Sequence, residues 1–278
     1  MPCRQGGFRF RWPLVRLPWW DGVGRAIPYL FAATLALVFL LANPMRASAQ
    51  DASGQIWGDL RLLFPQKDDV WLLYADVGPK LQVSGDERWA KIVFDPAAEY
   101  SALDLVDLLG DLSVSYTVQN DDVETLELVP RIGARLHLIS DIRDVRPAGR
   151  FAKRVGLGTE VRLEHRHFWY YGSGATEPYS ADWRLRIRLG ARVGINHADR
   201  SRPGTWYLFA DAEAFVPLND QNPETFTTKW RFRVGPGVVV DRTWHLELLY
   251  IRDISRNTME EEFENSVNAI DLRAKLYH

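Results

Sequence analysis

Two histidines, His165 and His167, are separated by one residue in the middle of the chain. Residues two apart on a β-strand share a face, so both imidazoles would lie next to the aromatic residues 168–171. Such a pair could supply the base of a lipid hydrolase or half of a metal site. No serine occurs at a matching spacing and no third metal ligand is evident. We therefore interpret the pair as interfacial histidines within an aromatic belt.

Arginine recurs at alternate positions of residues 183–193, which read Trp-Arg-Leu-Arg-Ile-Arg-Leu-Gly-Ala-Arg-Val. A strand would place the arginines on one face and the apolar residues on the other, whereas a helix would scatter the arginines around its axis. The next run, residues 206–216, carries Asp211 and Glu213 on its polar face. Because consecutive strands pair as hairpins and opposite charges attract across a ladder, we expect the arginine face to lie opposite these carboxylates.

Motifs that bind cofactors are incomplete in this sequence. The acidic residues 259–264 lack the spacing and the glycine of a calcium-binding EF-hand loop, and a solvated loop is the simpler interpretation. Gly156-x-Gly158 and Gly235-Pro236-Gly237 lack the following helix that a phosphate-binding loop requires, so bends are expected there. The formal net charge of -2 does not favour a nucleic-acid partner. The sequence predicts neither a cofactor nor a metal.

Residues 1–49 have the features of a secretory signal peptide. Arginines precede an uncharged apolar run at residues 26–42, and Ala47-Ser48-Ala49 forms a small-x-small cleavage site. We predict cleavage before Gln50 and a mature domain at residues 50–278, with an uncleaved signal anchor as the alternative. The only cysteine, Cys3, lies in the leader, so the mature chain would have no disulfide and no lipoprotein anchor.

The elements that must position these residues alternate between apolar and polar side chains with a period of two. No long amphipathic helix and no second domain are indicated, and turn signals such as Ser84-Gly85-Asp86 separate the alternating runs. The pattern predicts an all-β domain. Its eleven strand-like runs are residues 56–64, 70–83, 89–94, 112–118, 126–139, 161–169, 183–193, 206–216, 230–234, 244–251 and 270–276.

Two all-β folds show this alternation. In a soluble sandwich the apolar face points inward, whereas in an outer-membrane barrel the apolar face contacts lipid. Many runs have about 10 residues, as a tilted membrane crossing needs, and their polar faces carry charges of both signs that could pair in a lumen. Tryptophans near the starts of runs would form two aromatic girdles, which favours the barrel. These tryptophans are Trp57, Trp71, Trp89, Trp183, Trp206, Trp230 and Trp244.

The number of strands follows from an assumption about the chain ends. If both ends lie in the periplasm, closure requires an even number. We therefore predict a single antiparallel transmembrane β-barrel of about 12 strands, with ten as the alternative, and we expect the additional strand within residues 139–159. This arrangement places the turn at residues 84–87 and the tight Asp241-Arg242 connection in the periplasm. It places residues 95–107, 172–179 and 253–265 outside.

The polar faces predict a lumen in which basic side chains outnumber acidic ones. Pairing would neutralise about half of the cations, and the rest would attract an anion or ordered water. Either a structural barrel with a salt-bridged lumen or a narrow, porin-like, anion-favouring pathway fits this expectation. The expected cations are Arg131, Arg135, Arg162, Arg166, Arg184, Arg186, Arg188, Arg192, Arg231, Arg233, Arg273 and Lys275, and the expected anions are Glu160, Glu164, Asp211, Glu213, Glu247 and Asp271.

Three short segments resemble a known family. They are Gln-Ile-Trp-Gly-Asp-Leu-Arg-Leu at residues 55–62, Arg-Leu-Glu-His-Arg-His-Phe at residues 162–168 and Leu-Glu-Leu-Leu-Tyr-Ile-Arg at residues 246–252. Together with the arginine-alternating strand they resemble the domain-of-unknown-function family numbered 2490, a family of bacterial outer-membrane barrels. Leu249 stands where that family's pattern has glycine. The resemblance implies a fold and a location but no activity.

We therefore expect a non-enzymatic barrel in the outer membrane of a Gram-negative cell envelope. Its expected partners are outer-membrane lipid, lipopolysaccharide and the barrel-assembly machinery. The alternative function is a lipid hydrolase at the barrel rim that uses His165 or His167.

Overall fold

The computed structural model describes residues 52–66, 70–85, 88–103, 105–120, 122–140, 154–175, 177–218, 229–255 and 264–278. The predicted signal peptide, most of residues 139–159 and the acidic residues 259–263 lie outside these ranges.

Eleven β-strands account for most of the described residues, and each of the eleven alternating runs in the sequence overlaps one of them. Within the described ranges there is no helix, and so none that is long and apolar enough to span a membrane. The strands are β1 (Ser53–Pro65), β2 (Trp71–Ser84), β3 (Trp89–Leu103), β4 (Val106–Gln119), β5 (Glu124–Ser140), β6 (Val155–Tyr171), β7 (Tyr179–Gly194), β8 (Trp206–Pro217), β9 (Lys229–Val239), β10 (Trp244–Ser255) and β11 (Glu264–Tyr277).

The eleven strands close into one barrel, so the predictions of twelve or ten strands were wrong. Each strand pairs antiparallel with the next along the chain, and β1 and β11 complete the barrel as a parallel pair in which Ser53 lies beside Val267 and Leu63 beside Tyr277. With an odd number of strands, the last strand necessarily runs in the direction of the first. The assumption that required an even number, both chain ends on one side, does not hold. Because β5 pairs directly with β6, no position exists for a strand between them.

The two rims of the barrel carry different connections. We call the rim at which β1 begins the N-rim and the rim at which β11 ends the C-rim. Since neighbouring strands alternate in direction, the connections after β2, β4, β6, β8 and β10 lie at the N-rim, and those after β1, β3, β5, β7 and β9 lie at the C-rim. The turn after Ser84 therefore shares the N-rim with the β6–β7 connection, and the prediction that it lies beside Asp241-Arg242 was wrong. Residues 95–103, expected in a loop, belong to β3.

The two faces of the barrel wall differ sharply in chemistry. Large apolar side chains point outward and are exposed, Ile132 to 66% and Leu272 to 58%. Side chains on the inward face are charged or polar along most of each strand, and many of them are buried. A barrel of about eight strands is just wide enough for side chains to fill it. Eleven strands enclose more space, which long arginine side chains here partly occupy.

Two clusters of apolar side chains lie in the interior near the C-rim. Tyr207, Phe209 and Val239 form one buried cluster with Leu249 of β10. Leu63, Leu72 and Tyr74 form a second, against which Ala97 and Tyr277 pack. Gly237 makes room for this packing, because a Cβ atom at that position would lie 2.4 Å from carbon atoms of the Tyr207 ring. The interior at this rim is therefore tightly packed.

Candidate functional site: the charged barrel interior

Every charged residue predicted to line the lumen lies on the inward face of its strand, and each has an ion-pair partner inside the barrel. The basic residues are Arg131, Arg135, Arg162, Arg166, Arg184, Arg186, Arg188, Arg192, Arg231, Arg233, Arg273 and Lys275, and the acidic ones are Glu160, Glu164, Asp211, Glu213, Glu247 and Asp271. Alternation along the strand brings them to one side of the sheet. Closure of the sheet then brings them together in space.

The arginine face of β7 meets the carboxylates of β8 at its shortest distances along diagonals of the ladder. Arg188 lies directly opposite Glu213 in the register, and its Nε lies 3.6 Å from that carboxylate. Its Nη2 lies only 2.6 Å from Asp211, two residues earlier in β8, and Arg186 Nη2 lies 2.5 Å from Glu213. Long guanidinium side chains reach diagonal neighbours easily, and strand twist favours one diagonal over the other.

Carboxylates on this side of the barrel are each shared by several basic side chains. Asp211 bonds to Arg188 and Arg233, both through its Oδ2 atom. Glu213 accepts hydrogen bonds from Arg186 and Arg233, each at 2.5 Å. On the neighbouring strands the same sharing recurs: Glu164 lies between Arg184 and Arg186, Glu127 between Lys91 and Arg166, and Asp253 between Lys229 and Arg231.

Sequence reasoning missed many inward charges, most of them acidic. Asp111 binds Arg131 and Arg162, and Glu99 binds Arg135 at 2.8 Å. With these included, basic and acidic side chains are nearly equal in number over the described interior, in contrast to the excess of cations that the sequence predicted. The missed acids are Asp59, Asp76, Asp95, Glu99, Asp107, Asp111, Glu127, Asp182 and Asp253, and the missed bases are Arg61, Lys80, Lys91 and Lys229.

A cavity of about 360 Å³ occupies the middle of the barrel and its N-rim side. Its lining contains more than twice as many basic as acidic side chains. The basic ones are Arg61, Lys80, Lys91, Arg131, Arg162, Arg166, Arg184, Arg186, Arg188, Lys229, Arg231, Arg233 and Arg273, and the acidic ones are Asp59, Asp76, Asp95, Asp111, Glu127 and Glu164.

The basic lining coexists with a nearly balanced interior because the two kinds of side chain differ in length. Asp211 and Asp271 end close to the barrel wall and are buried there. The longer arginines extend past them, so that Arg188 and Arg233, both ion-paired to Asp211, still line the cavity. The surface that a molecule in the cavity would meet is therefore cationic.

Access to solvent increases toward the N-rim. Arg184, in the first part of β7, has a side chain 25% exposed, and Lys229, which begins β9 at this rim, is 32% exposed. Arg192, on the same face of β7 but near the C-rim, is only 3% exposed. The cavity thus lies on the more solvent-accessible side of the interior, where one apolar cluster, formed by Trp57, Ile251 and Ala269, is nevertheless buried.

A compact ion network occupies the C-rim half; we call it the Glu247 network. Glu247 Oε1 accepts hydrogen bonds from Lys275 at 2.6 Å, Tyr207 at 2.9 Å and Arg192 at 3.0 Å, and Oε2 accepts one from Arg273 at 3.4 Å. The carboxylate has no exposed surface. Its donors come from β7, β8 and β11, so the network ties several strands together across the interior.

The predicted tryptophan girdles are partly on the outer surface. Trp71, Trp206 and Trp244 share the outward face near the C-rim, and Trp183 and Trp230 share it near the N-rim. Trp89 lies on the strand face of Lys91, which points inward. The prediction that Trp57 belongs to a girdle was wrong. Trp57 lies inside the barrel, 5% exposed, because it shares the inward strand face with Gln55. Its indole Nε1 donates a hydrogen bond of 2.8 Å to the Gln55 side chain.

His165 and His167 point outward near the N-rim, within an aromatic cluster. The His165 ring stacks on Trp183 with a centroid distance of 4.1 Å, and His167 Nδ1 lies 2.8 Å from the Tyr179 hydroxyl. Ser180 lies on the opposite face of β7, and its hydroxyl is 3.1 Å from that of Tyr170. No set of three or more His, Cys, Asp or Glu side chains within the described ranges is arranged to hold a metal.

The model of a family described as a protein of unknown function, DUF2490, matches residues 54–264 of this chain. The matched region runs from β1 to the start of β11 and covers more than half of the sequence. The chain belongs to this family. The resemblance inferred from the three short segments is thereby confirmed. The description of DUF2490 assigns no activity to its members, and no curated protein matches the chain.

Proposed function

We propose that this protein is an outer-membrane β-barrel that has a structural, non-enzymatic role and whose lumen is not an open pore. The belt of exposed apolar side chains on the outer face supports this proposal most strongly. Soluble proteins rarely expose a contiguous apolar patch of more than a few hundred Å². A belt that encircles a barrel, with charges inside, is the arrangement that a lipid environment stabilises.

Strand length and aromatic placement support the membrane setting. The shortest strand, β9, has 11 residues and the longest have 17, whereas a tilted strand needs about 9–11 residues to cross a bilayer. Outward tryptophans near both rims, for instance Trp244 and Trp183, are suited to the two membrane–water interfaces.

Packing near the C-rim favours a structural role over an anion pathway. A conducting pathway needs continuous polar space between the rims. Tyr207 and Val239 have no exposed surface, and together with the buried Glu247 network they occupy much of this part of the interior. A second cavity beside this network measures only about 50 Å³. These features support a main cavity that is closed toward the C-rim and entered from the N-rim.

Fractionation and electrophoresis test the location. We expect the protein in outer-membrane fractions, and we expect faster migration of the unheated than of the heated protein in detergent gels, since a closed barrel resists detergent unfolding. Recovery of the protein as a soluble periplasmic species after osmotic shock would contradict the membrane setting.

Planar-bilayer recordings test the closed lumen. We expect no stable conductance from the wild-type protein. The matched variant Tyr207→Ala together with Phe209→Ala removes two large aromatic side chains near the C-rim and should produce channel events. Regular anion-selective steps from the wild-type protein would overturn the structural role in favour of the pathway.

The hydrolase alternative is tested by incubating the purified protein with phospholipid and lipopolysaccharide. We expect no release of acyl chains. Release that disappears in both His165→Ala and His167→Ala, but persists in the control His197→Ala in the connection between β7 and β8, would establish the enzyme instead.

A further inference from the structure

We propose that the N-rim cavity binds a small polyanion that carries at least two phosphate or carboxylate groups. This site goes beyond the proposed function and requires only the closed barrel, so it would exist in detergent as well as in a membrane. The volume of about 360 Å³ lies in the range of small-molecule sites, which is about 300–1,000 Å³.

Shared carboxylates leave positive charge available at the cavity surface. Glu127 accepts hydrogen bonds from Lys91 at 2.7 Å and from Arg166 at 2.9 Å, and Arg166 also lies 3.3 Å from Asp182. Asp253 likewise serves Lys229 at 2.7 Å and Arg231 at 2.8 Å. All four of these basic side chains line the cavity.

Lys80 points into the cavity, and its carboxylate neighbours Asp59 and Asp95 act on it only from beyond ion-pair distance. Among the described residues, no carboxylate oxygen lies within 4.0 Å of its ammonium group, which instead sits 4.1 Å from the centroid of the Trp57 ring. The guanidinium of Arg231 lies 5.0 Å from the centroid of the same ring. Two cations thus converge on one indole at the cavity wall.

The strand register places a second cation next to Lys80. Lys80 of β2 and Lys91 of β3 are directly opposite in the ladder, and both point into the cavity. Like charges at such positions destabilise a strand pair. An anion bound between the two ammonium groups would relieve this repulsion and would complete the coordination that Lys80 lacks. Arg166, Lys229 and Arg231 are close enough to the same rim to hold a second anionic group.

Arginine-rich lining defines the class of ligand. Guanidinium groups match the planar oxygens of carboxylate and phosphate bidentately, and the ammonium groups of Lys80 and Lys91 add point charges. Solvent reaches these residues from the N-rim, where Lys229 is a third exposed. A ligand could therefore enter without any rearrangement of the C-rim clusters.

Calorimetric titration of the purified, detergent-solubilised barrel tests the site. Pyrophosphate and citrate serve as the phosphate and carboxylate probes, and sucrose serves as a neutral probe of similar size. We expect binding of one molecule per barrel by at least one of the two anions, and no binding of sucrose. In Lys80→Gln the affinity should fall roughly tenfold, as expected for the loss of one charged hydrogen bond. Arg242→Gln, an exposed arginine at the C-rim, should bind as the wild type does.

Thermal unfolding supplies a second measurement. Lys80→Gln should melt at the same or a higher temperature than the wild type without ligand, since it removes the repulsion from Lys91, and it should lose most of the stabilisation that the bound anion confers. Lys80→Arg should retain that stabilisation. Absence of binding by both anions, or equal affinity in the wild type and Lys80→Gln, would overturn the proposal. Neither result depends on the location of the protein, which fractionation tests separately.

Discussion

Glu247 and Glu127 make similar contacts in very different surroundings. Each accepts hydrogen bonds from at least two basic side chains of neighbouring strands. Glu247, near the C-rim, has no exposed surface, whereas Glu127, near the N-rim, is 12% exposed and borders the cavity. A carboxylate bound by several basic side chains therefore links neighbouring strands in the buried C-rim half, and a similar carboxylate lines a water-accessible cavity in the N-rim half.

The difference in solvation between the two carboxylates determines how much stability is lost when one of them is removed. A buried ion network gains little net stability from its formation, but removal of one member leaves uncompensated charges in a low-dielectric interior. A solvated pair loses less, because water and mobile ions replace the missing partner. The C-rim half should consequently tolerate little change, and the N-rim half should accept substitution and ligands.

The largest expected effect is that of Glu247→Gln. The substitution leaves Arg192, Arg273 and Lys275 near a neutral amide, and we expect a loss of about 3–5 kcal/mol in the free energy of unfolding. Glu127→Gln is the matched control and should lose clearly less, since Lys91 and Arg166 are about a quarter exposed to water and Arg166 keeps Asp182 as a partner. Urea unfolding in detergent micelles measures both. Equal losses would show that the two halves do not differ.

Packing near the C-rim predicts the next effect. Gly237→Ala forces a methyl group against the Tyr207 ring and should cost about 1–3 kcal/mol. Gly110→Ala in β4 is the control, since nothing lies within 4 Å of a Cβ atom there. Thermal melts of the two variants should differ by several degrees. A Gly237→Ala melt at the wild-type temperature would indicate that the C-rim interior is loosely packed.

Cysteine labelling compares the two halves on a single strand. In a Cys3→Ser background, Arg184→Cys and Arg192→Cys occupy the same inward face of β7. A charged, membrane-impermeant maleimide should modify position 184 much faster than position 192, given side chains that are 25% and 3% exposed. Similar rates at the two positions would mean that water reaches the C-rim half as readily as the cavity.

Salt dependence should show the smallest effect. Raising the sodium chloride concentration from about 50 mM to about 1 M shortens the screening length from more than 10 Å to about 3 Å. The stability lost in Glu127→Gln should shrink over this range, whereas the loss in Glu247→Gln should stay nearly constant. The two variants can be measured by parallel urea titrations. A salt-sensitive loss at Glu247 would argue against its burial.

The sequence predicts much of this interior, and its failures have physical causes. Strict alternation of arginine with apolar residues identified Arg186 and Arg188, because no other secondary structure sorts them onto one face. Asp95 and Glu99 were missed because small residues and a proline occupy both faces of this part of β3, which blurs the alternation and suggested a loop.

Two other errors came from placing weight on the wrong observation. Trp57 was assigned to the outer surface because it lies near a strand start. It is nevertheless spaced at two-residue intervals with Gln55, Asp59 and Arg61, so its side chain points inward as theirs do. The strand number was forced to be even by the assumed location of the chain ends, although the sequence contains eleven runs. Closure through a parallel pair cannot be deduced from alternation, since parallel and antiparallel partners show the same period.

The parallel pair of β1 and β11 determines the sidedness of the chain. Ser53 begins β1 at one rim, and Tyr277 ends β11 at the other. In a bilayer, residues just before β1 and the C-terminal residue would therefore face different compartments, whichever way the barrel is inserted. If the barrel spans a bilayer, its assembly must therefore carry one end of the barrel domain across that bilayer. The seam between β1 and β11, which joins the most distant parts of the chain, can form only after both strands are in place.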